Sequence, residues 1–152
     1  MTPTFRAATA QDQAAVEALL RAQSLPTAGV PEMFADDASQ FIVGIADDAV
    51  VAVAGVEECC AHALLRSVAV RADWQRRGLG HALVERAVAQ AESRGIHALY
   101  LLTLTAEDYF PRFGFERVPR ESVPPAVAST VEFTGACPAS AITMCKTLVA
   151  TT

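Results

Sequence analysis

Apolar positions along the chain recur at two spacings, near two residues and near 3.6. Most changes of spacing are marked by Gly, Pro or paired Asp. Thr4 to Ala8 reads as a short first strand. Thr9-Ala10-Gln11-Asp12 follows as a capping box, with Asp12 in the place of the usual Glu. Val16, Leu19 and Leu20 then fall on one helical face, and this helix is predicted to end near Gln23, because Pro26 cannot continue it. Leu25 to Gln40 contains Pro26, Gly29 and Pro31 and is expected to be a loop with one helical turn around Glu32 to Phe34. A long loop ahead of a sheet is either a cover for a substrate or a plain surface connection. Phe41 to Ile45 and Ala49 to Val56 are strand-like and are joined by Asp47-Asp48. Glu57 to Ala61 is the next turn or the strand ends around it, and Ala63 to Val70 gives a further strand.

The second half starts with a helical stripe of Leu79, Leu83, Ala87, Val88 and Ala91, ended by Arg94-Gly95. Ile96 to Leu104 is a strongly apolar strand, expected to lie parallel to the strand ending at Val70 with the helix as a right-handed crossover. Ala106 to Arg112 reads as a short helix, and Phe113-Gly114-Phe115 turns into another strand. Val123-Pro124-Pro125 breaks the chain, Ala126 to Phe133 starts as a helix, and Ile142 to Leu148 is the final strand. There is no internal repeat, low-complexity tract or linker, so residues 1–152 are expected to form one α/β domain.

Composition narrows the class. Of 152 residues, 52% are hydrophobic and 19% charged, which favours a large core over disorder. The formal charge of −5 does not suit general nucleic-acid binding. No apolar signal segment is visible near the N-terminus, and no apolar run is long enough to span a membrane, so a cytoplasmic protein is expected. Cys59, Cys60, Cys137 and Cys145 form no C-x-x-C pair. A zinc site or disulfide framework is therefore not expected, and free thiols in a reducing compartment are.

Positive charge is instead local. Val68-Ala69-Val70 ends a strand and Gln75-Arg76-Arg77-Gly78-Leu79-Gly80-His81 turns into a helix. Gly78 and Gly80 permit a tight turn and close approach of a ligand. The unpaired N–H groups of the helix start, with Arg76 and Arg77 beside them, make an anion site suited to phosphate or pyrophosphate. A Walker loop would need Lys where His81 stands. A dinucleotide fingerprint would need a small residue where Leu83 stands.

The loop resembles the pyrophosphate loop of the GNAT superfamily of acetyl-CoA-dependent N-acetyltransferases, and Phe113-Gly114-Phe115 downstream supports the likeness. The resemblance implies a GNAT fold, a mixed and mostly antiparallel sheet with a central splayed parallel strand pair and flanking helices. It also implies acetyl-CoA as co-substrate and no metal. Val68, Ala69 and Val70 would offer backbone groups to the pantetheine amides, much as a sheet edge takes an added strand. Gln75, Arg76, Arg77, Gly78, Leu79, Gly80 and His81 would hold the pyrophosphate, and Phe110 would also line the cofactor path.

No catalytic residue is identified by the sequence. Many GNAT enzymes carry a Tyr that protonates the departing thiolate. Phe110 occupies that position here, and Tyr109, one place earlier, would point about 100° away on a helix. Either no side-chain acid acts or Tyr109 is reached by a local shift. A thiolate with a pKa near 8.5 is a tolerable leaving group unaided. The position of the Glu base of some protein-lysine acetyltransferases holds Leu64, leaving Glu57, Glu58 and His62 as nearby titratable groups. Arg66, expected to share a face with Val68 and Val70, needs an anionic partner. That partner is either a substrate carboxylate or an internal Glu132 or Glu57.

A narrower likeness covers nearly the whole chain. Ala63 to Val70, Tyr100 to Thr103, Phe110 to Phe115, Val131-Glu132-Phe133 and Cys137-Pro138-Ala139-Ser140-Ala141 with Met144 carry it. They are similar to arsenic-resistance N-acetyltransferases and to small amino-acid N-acetyltransferases of the N-acetylglutamate synthase kind. This implies acetylation of a small amine, an amino acid or a glutamate-like toxin such as arsinothricin or phosphinothricin. Arsenite itself would want about three converging thiols, and the cysteine spacing does not argue for that. The alternatives are a non-catalytic acyl-CoA-binding module and a protein-lysine acetyltransferase. Homodimers are common among similar proteins, and the last strand is the element that could take part.

Overall fold

A computed structural model of the chain describes residues 2–104, 106–137 and 140–148; Pro138 and Ala139 of the stretches quoted above lie outside them. The period-two segments form a seven-stranded sheet, in the order β1 (Thr4–Ala7), β2 (Phe41–Ala46), β3 (Ala49–Cys59), β4 (His62–Val70), β5 (Ala98–Thr103), β7 (Ile142–Thr147), β6 (Glu116–Arg117). β4 and β5 are parallel and the other described pairings antiparallel. Asp47 and Asp48 both take positive φ, 51° and 61°, the left-handed pair that closes a two-residue hairpin. The last strand, β7, is flanked by β5 and β6 instead of forming an edge, and β6 covers it at Met144 and Cys145.

The helical stripe beginning at Leu79 becomes α3 (Leu79–Ser93), which packs Leu83, Val84, Ala87 and Ala91 against Leu99, Leu101, Phe115 and Met144. On the opposite face lies α1 (Gln13–Ala22). Val16, Leu19 and Leu20 there meet Phe41, Val43 and Val53. Thr9 N–H donates to Asp12 Oδ2 at 2.8 Å, and Arg6 Nη1 donates to the same oxygen at 2.7 Å. The capping carboxylate thus also ties β1 to the helix.

β3 runs three residues past the expected Val56 and β5 is shorter than Ile96 to Leu104, and three elements differ in kind from the sequence expectation. Val30–Asp37 is an α-helix, α2, not a single turn within a loop. Pro31 sits in its first turn, where a missing N–H breaks no helical bond, and Val30, Met33 and Phe34 are buried. Phe34 stacks on Phe41 with ring centroids 4.6 Å apart. Secondly, the expected Ala106–Arg112 helix is replaced by a turn and a 3-10 helix over Phe110–Phe113. Thirdly, the expected helical start at Ala126 to Phe133 is a single turn, α4 (Pro125–Ala128), followed by a wide turn at Glu132–Ala136.

The register of β4 carries the main surprise. Gly55 stands opposite Arg66, but Val53 stands opposite Ala69, so β4 holds one extra residue there. Ser67 absorbs it at φ 58°, a β-bulge. The bulge reverses the alternation of side chains. Val68 and Val70 pack towards α3, and Ala69 packs against the α1–α2 core. Arg66 shares the Ala69 face, not that of Val68 and Val70, which corrects the expectation from simple alternation.

Candidate active site

β4 and β5 pair only through His62–Ala98, Ala63–Leu99 and Leu64–Tyr100. Beyond Leu64 they part. β4 runs on to Val70 paired with β3, and β5 runs on to Thr103 paired with β7. The β5-facing backbone edge of Leu65 to Val70 has no strand partner, and backbone polar groups away from water need one. Between the strands lies a cavity of about 690 Å³. Leu65 to Val68 and Leu101 to Leu104 form its two sheet walls, Gln23 to Pro26 a third, and Tyr109, Phe110, Glu132 and Cys137 close it.

At the far end of β4, the Gln75–His81 segment is exposed except for buried Leu79 and half-buried Gly80. Arg76 and Gly78 take φ 67° and 82°. A left-handed arginine is strained by roughly 1–3 kcal/mol, while Gly78 is not. Arg77 stacks its guanidinium 4.5 Å above the Trp74 ring. Gln75 Nε2 donates to Val70 O at 2.9 Å and so fastens the loop to the open strand. His81 pairs with Glu85 at 3.3 Å and lies tilted against Phe113, with ring centroids 4.8 Å apart. Val68 and Phe110 thus meet at the cavity, the loop frames the start of α3, and Ala69 and Leu79 are core residues whose contribution would be backbone only.

Tyr109 does not point away. Because it caps a 3-10 turn and not a regular helix, it lines the cavity together with Phe110. A Cβ placed on Gly80 would lie 3.7 Å from the Tyr109 hydroxyl, which puts that hydroxyl at the α3 end of the open strand. Burial raises the Tyr109 phenol above its usual pKa, against a smaller opposing effect of Arg112.

Arg66 is enclosed, its side chain 0% exposed. Nη1 donates to Glu57 at 3.1 Å, Nη2 to Ala28 O at 2.6 Å, and Nε to Ser67 Oγ at 3.1 Å. Glu132 Oε2 lies 3.4 Å from Nε. Both internal partners open to Arg66 on sequence grounds are present together, and each of the three guanidinium nitrogens has a partner. Gly29, at φ 84°, makes room for it, since a Cβ there would lie 3.0 Å from Nη1.

Glu132 is the residue that sequence reasoning placed only as a salt-bridge partner. It is 5% exposed, and burial raises its carboxyl above the usual range. The signal available was a single charge inside the apolar run Val131-Glu132-Phe133. Cys137 beside it is pushed up to about 11, first by burial and then by the Glu132 charge. Glu58, by contrast, pairs with Arg94 on the surface, and His62 lies at the far end of β4 against His97 and Tyr100. No three cysteines converge among the described residues.

Residues 9–115 match the Acetyltransferase (GNAT) family. The chain belongs to this family. Among curated relatives, an uncharacterized N-acetyltransferase of Chlorobaculum tepidum is 33% identical over 73 residues, covering 43% of this chain and 46% of that protein. The match thus spans less than half of that relative. The GNAT fold recurs in N-acetylglutamate synthase from Neisseria gonorrhoeae, solved with coenzyme A and N-acetyl-glutamate, at TM-score 0.81 and 19% identity, over 98% of this chain and 36% of that one. It recurs in Rv2747 from Mycobacterium tuberculosis, solved in complex with CoA and NLQ, at TM-score 0.76 and 19% identity, over 97% and 100% of the two chains. The ribosomal-protein-S18-alanine N-acetyltransferase of Escherichia coli gives TM-score 0.74 and 19% identity over 99% and 96%. Among the described residues, no helix of this GNAT chain is long and apolar enough to cross a membrane.

Proposed function

We propose that this GNAT chain transfers an acetyl group from acetyl-CoA to a small amine, an amino acid or a glutamate-like compound of the arsinothricin or phosphinothricin type. The observation that carries the reading is the parting of β4 from β5 after Leu64 and Tyr100, beside the exposed loop 75–78 that leads into α3. The pantetheine amides have the donors and acceptors that the open edge of β4 lacks. The unpaired N–H groups of a helix start, with Arg76 and Arg77 beside them, suit a pyrophosphate. The thioester then reaches the cavity near Val68, where a backbone N–H can stabilise the developing oxyanion.

Walls on several sides and a volume of about 690 Å³ favour a small acceptor over a peptide chain. Recognition of an acceptor carboxylate by Arg66 is not part of this reading, because each of its nitrogens already has an internal partner. Phe110 in the position of the usual Tyr is the observation that favours the second reading, a module that holds acyl-CoA without turning it over. Mass spectrometry of a mixture of amino acids, phosphinothricin, arsinothricin, polyamines and a lysine peptide, incubated with acetyl-CoA and the protein, separates these readings. An acetylated small amine is expected. An acetylated peptide alone would point to a protein-lysine acetyltransferase, and no acetylated amine with acetyl-CoA bound would favour the module.

A further inference from the structure

Glu132 is the one carboxylate among the described residues that line the cavity. Its partners do not match its capacity. Of the Arg66 donors, Nη1 goes to Glu57, Nη2 to Ala28 O and Nε to Ser67 Oγ. Glu132 receives only the longer 3.4 Å approach to Nε and the weak donor of the Cys137 thiol. A carboxylate has about four acceptor sites, so much of this one is unused.

Charge points the same way. Arg66 stands between two carboxylates, with Glu57 facing the neighbouring groove lined by Glu32, Asp36 and Glu58 and Glu132 facing the cavity. Arg66 is thus shared between two carboxylates, and Arg120 lies one residue along on Phe133, so Glu132 is met only by the longer of the two Arg66 approaches. A buried carboxylate so placed favours a proton or a cation beside it.

We infer that Glu132 seats the acceptor as its ammonium ion and takes the proton that frees the attacking nitrogen. This rests on the acetyl-transfer reading above and names the residue that selects a cationic amine. In the step, one N–H bond of the ammonium breaks and its proton passes to Glu132. The released lone pair forms the C–N bond at the thioester carbonyl, and the C–S bond breaks as the tetrahedral intermediate collapses. The second nitrogen proton leaves with the sulfur as the CoA thiol. Glu132 then returns its proton to water as the product departs. The groups facing Glu132 are Arg66, Glu57 and Cys137, with Arg120 nearby on the Phe133 ring. Burial lifts its carboxyl most, Arg66 and the Cys137 thiol pull it down, and Glu57 lifts it again, which brings a carboxylate nearer to the working range of a proton acceptor.

The test compares wild type, Glu132→Gln and Glu57→Gln in amine-dependent release of CoA thiol, with acetyl-CoA affinity measured for each. Glu132→Gln is expected to lower kcat/KM for the amine by about 100-fold or more, to leave acetyl-CoA affinity unchanged and to lose the acid limb of the kcat profile. Glu57→Gln, which removes a partner of Arg66 and one negative charge of the cluster, is expected to cost less, a several-fold rise in KM for the amine, and to keep the acid limb of the kcat profile, because Glu132 still takes the proton. Equal losses in both variants would make the effect structural and overturn the inference. Wild-type turnover retained in Glu132→Gln with the same profile would overturn it while leaving acetyl transfer intact. A wild type that binds acetyl-CoA but acetylates no amine would overturn the underlying reading itself. Should Glu132→Gln not fold, the wild-type profile decides: kcat at saturating amine must fall on the acid side as the carboxyl takes up its proton, and a profile flat down to the pH at which the protein unfolds would overturn the assignment.

Discussion

Arg66 Nη1 donates to Glu57 Oε1 at 3.1 Å from a side chain that is wholly buried. The contact follows from the register, because Gly55 stands opposite Arg66 and Glu57 opposite Leu64, which makes Glu57 and Arg66 diagonal neighbours on one face of the sheet, while the bulge at Ser67 turns Val68 and Val70 to the other. It fixes the wall of the cavity and holds two carboxylates, Glu57 and Glu132, around one cation.

Removing that cation strands both carboxylates. Arg66→Met is therefore expected to lower unfolding free energy by about 3–5 kcal/mol, the range for breaking a buried pair from one side. Urea unfolding at neutral pH measures it. A change below about 1 kcal/mol would show that the ion cluster is solvated and not a structural fixture.

The anion site is exposed, so its contribution reads out in cofactor affinity. Replacing Arg76 and Arg77 together by Ala is expected to raise KM for acetyl-CoA roughly tenfold, about 1.4 kcal/mol, with kcat little changed. Arg77 also covers Trp74, so Arg76→Ala alone gives the cleaner reading of charge. Added salt should shrink the wild-type advantage, because exposed charges are screened.

Tyr109 lies by Gly80 at the cofactor end of the open strand. Tyr109→Phe is therefore expected to raise KM for acetyl-CoA a few-fold and leave kcat near wild type. A loss in kcat of about 100-fold would instead make the phenol the proton donor to the leaving thiolate.

Asp12 gives a pH-dependent fixture remote from the site. Hydrogen bonding from Arg6 is the largest cause holding its carboxyl below the usual value, with Thr9 assisting against burial. Its folded pKa lies under its unfolded pKa, so its contribution is full above an unfolded value of about 3.9 and fades as pH falls through the folded value. Asp12→Asn should cost about 1–2 kcal/mol at pH 7 by loss of the cap. The gap between variant and wild type should narrow by about pH 3. A gap that stays constant across this range would mean that its ionised form contributes nothing.

Much of this was legible in the residues. Alternation in Phe41 to Val70 and the turn at Asp47-Asp48 announced the antiparallel strands. Gln75 to Gly80 after Val70 announced the anion loop, because glycines, arginines and a helix start leave a local mark. The bulge at Ser67 leaves none. Ala63 to Val70 reads as an even strand, and only the register with Gly55 and Val53 shows the extra residue. Pro31 looked like a breaker because its first-turn position depends on where Gly29 starts the helix. Tyr109 was misdirected by assuming helical geometry for what is a 3-10 turn. Glu132 was hidden because its importance comes from Arg66 and the cavity, which lie far from it in the sequence.

The account rests on acetyl transfer in the wedge between β4 and β5, and the rate of free thiol release from acetyl-CoA tests it most directly. The blank contains the protein without amine, to allow for Cys59, Cys60, Cys137 and Cys145. The account predicts saturable, amine-dependent release with at least one small amino acid or glutamate-like amine, abolished when the amine is omitted. Tight acetyl-CoA binding with no amine-dependent release across the panel would contradict it.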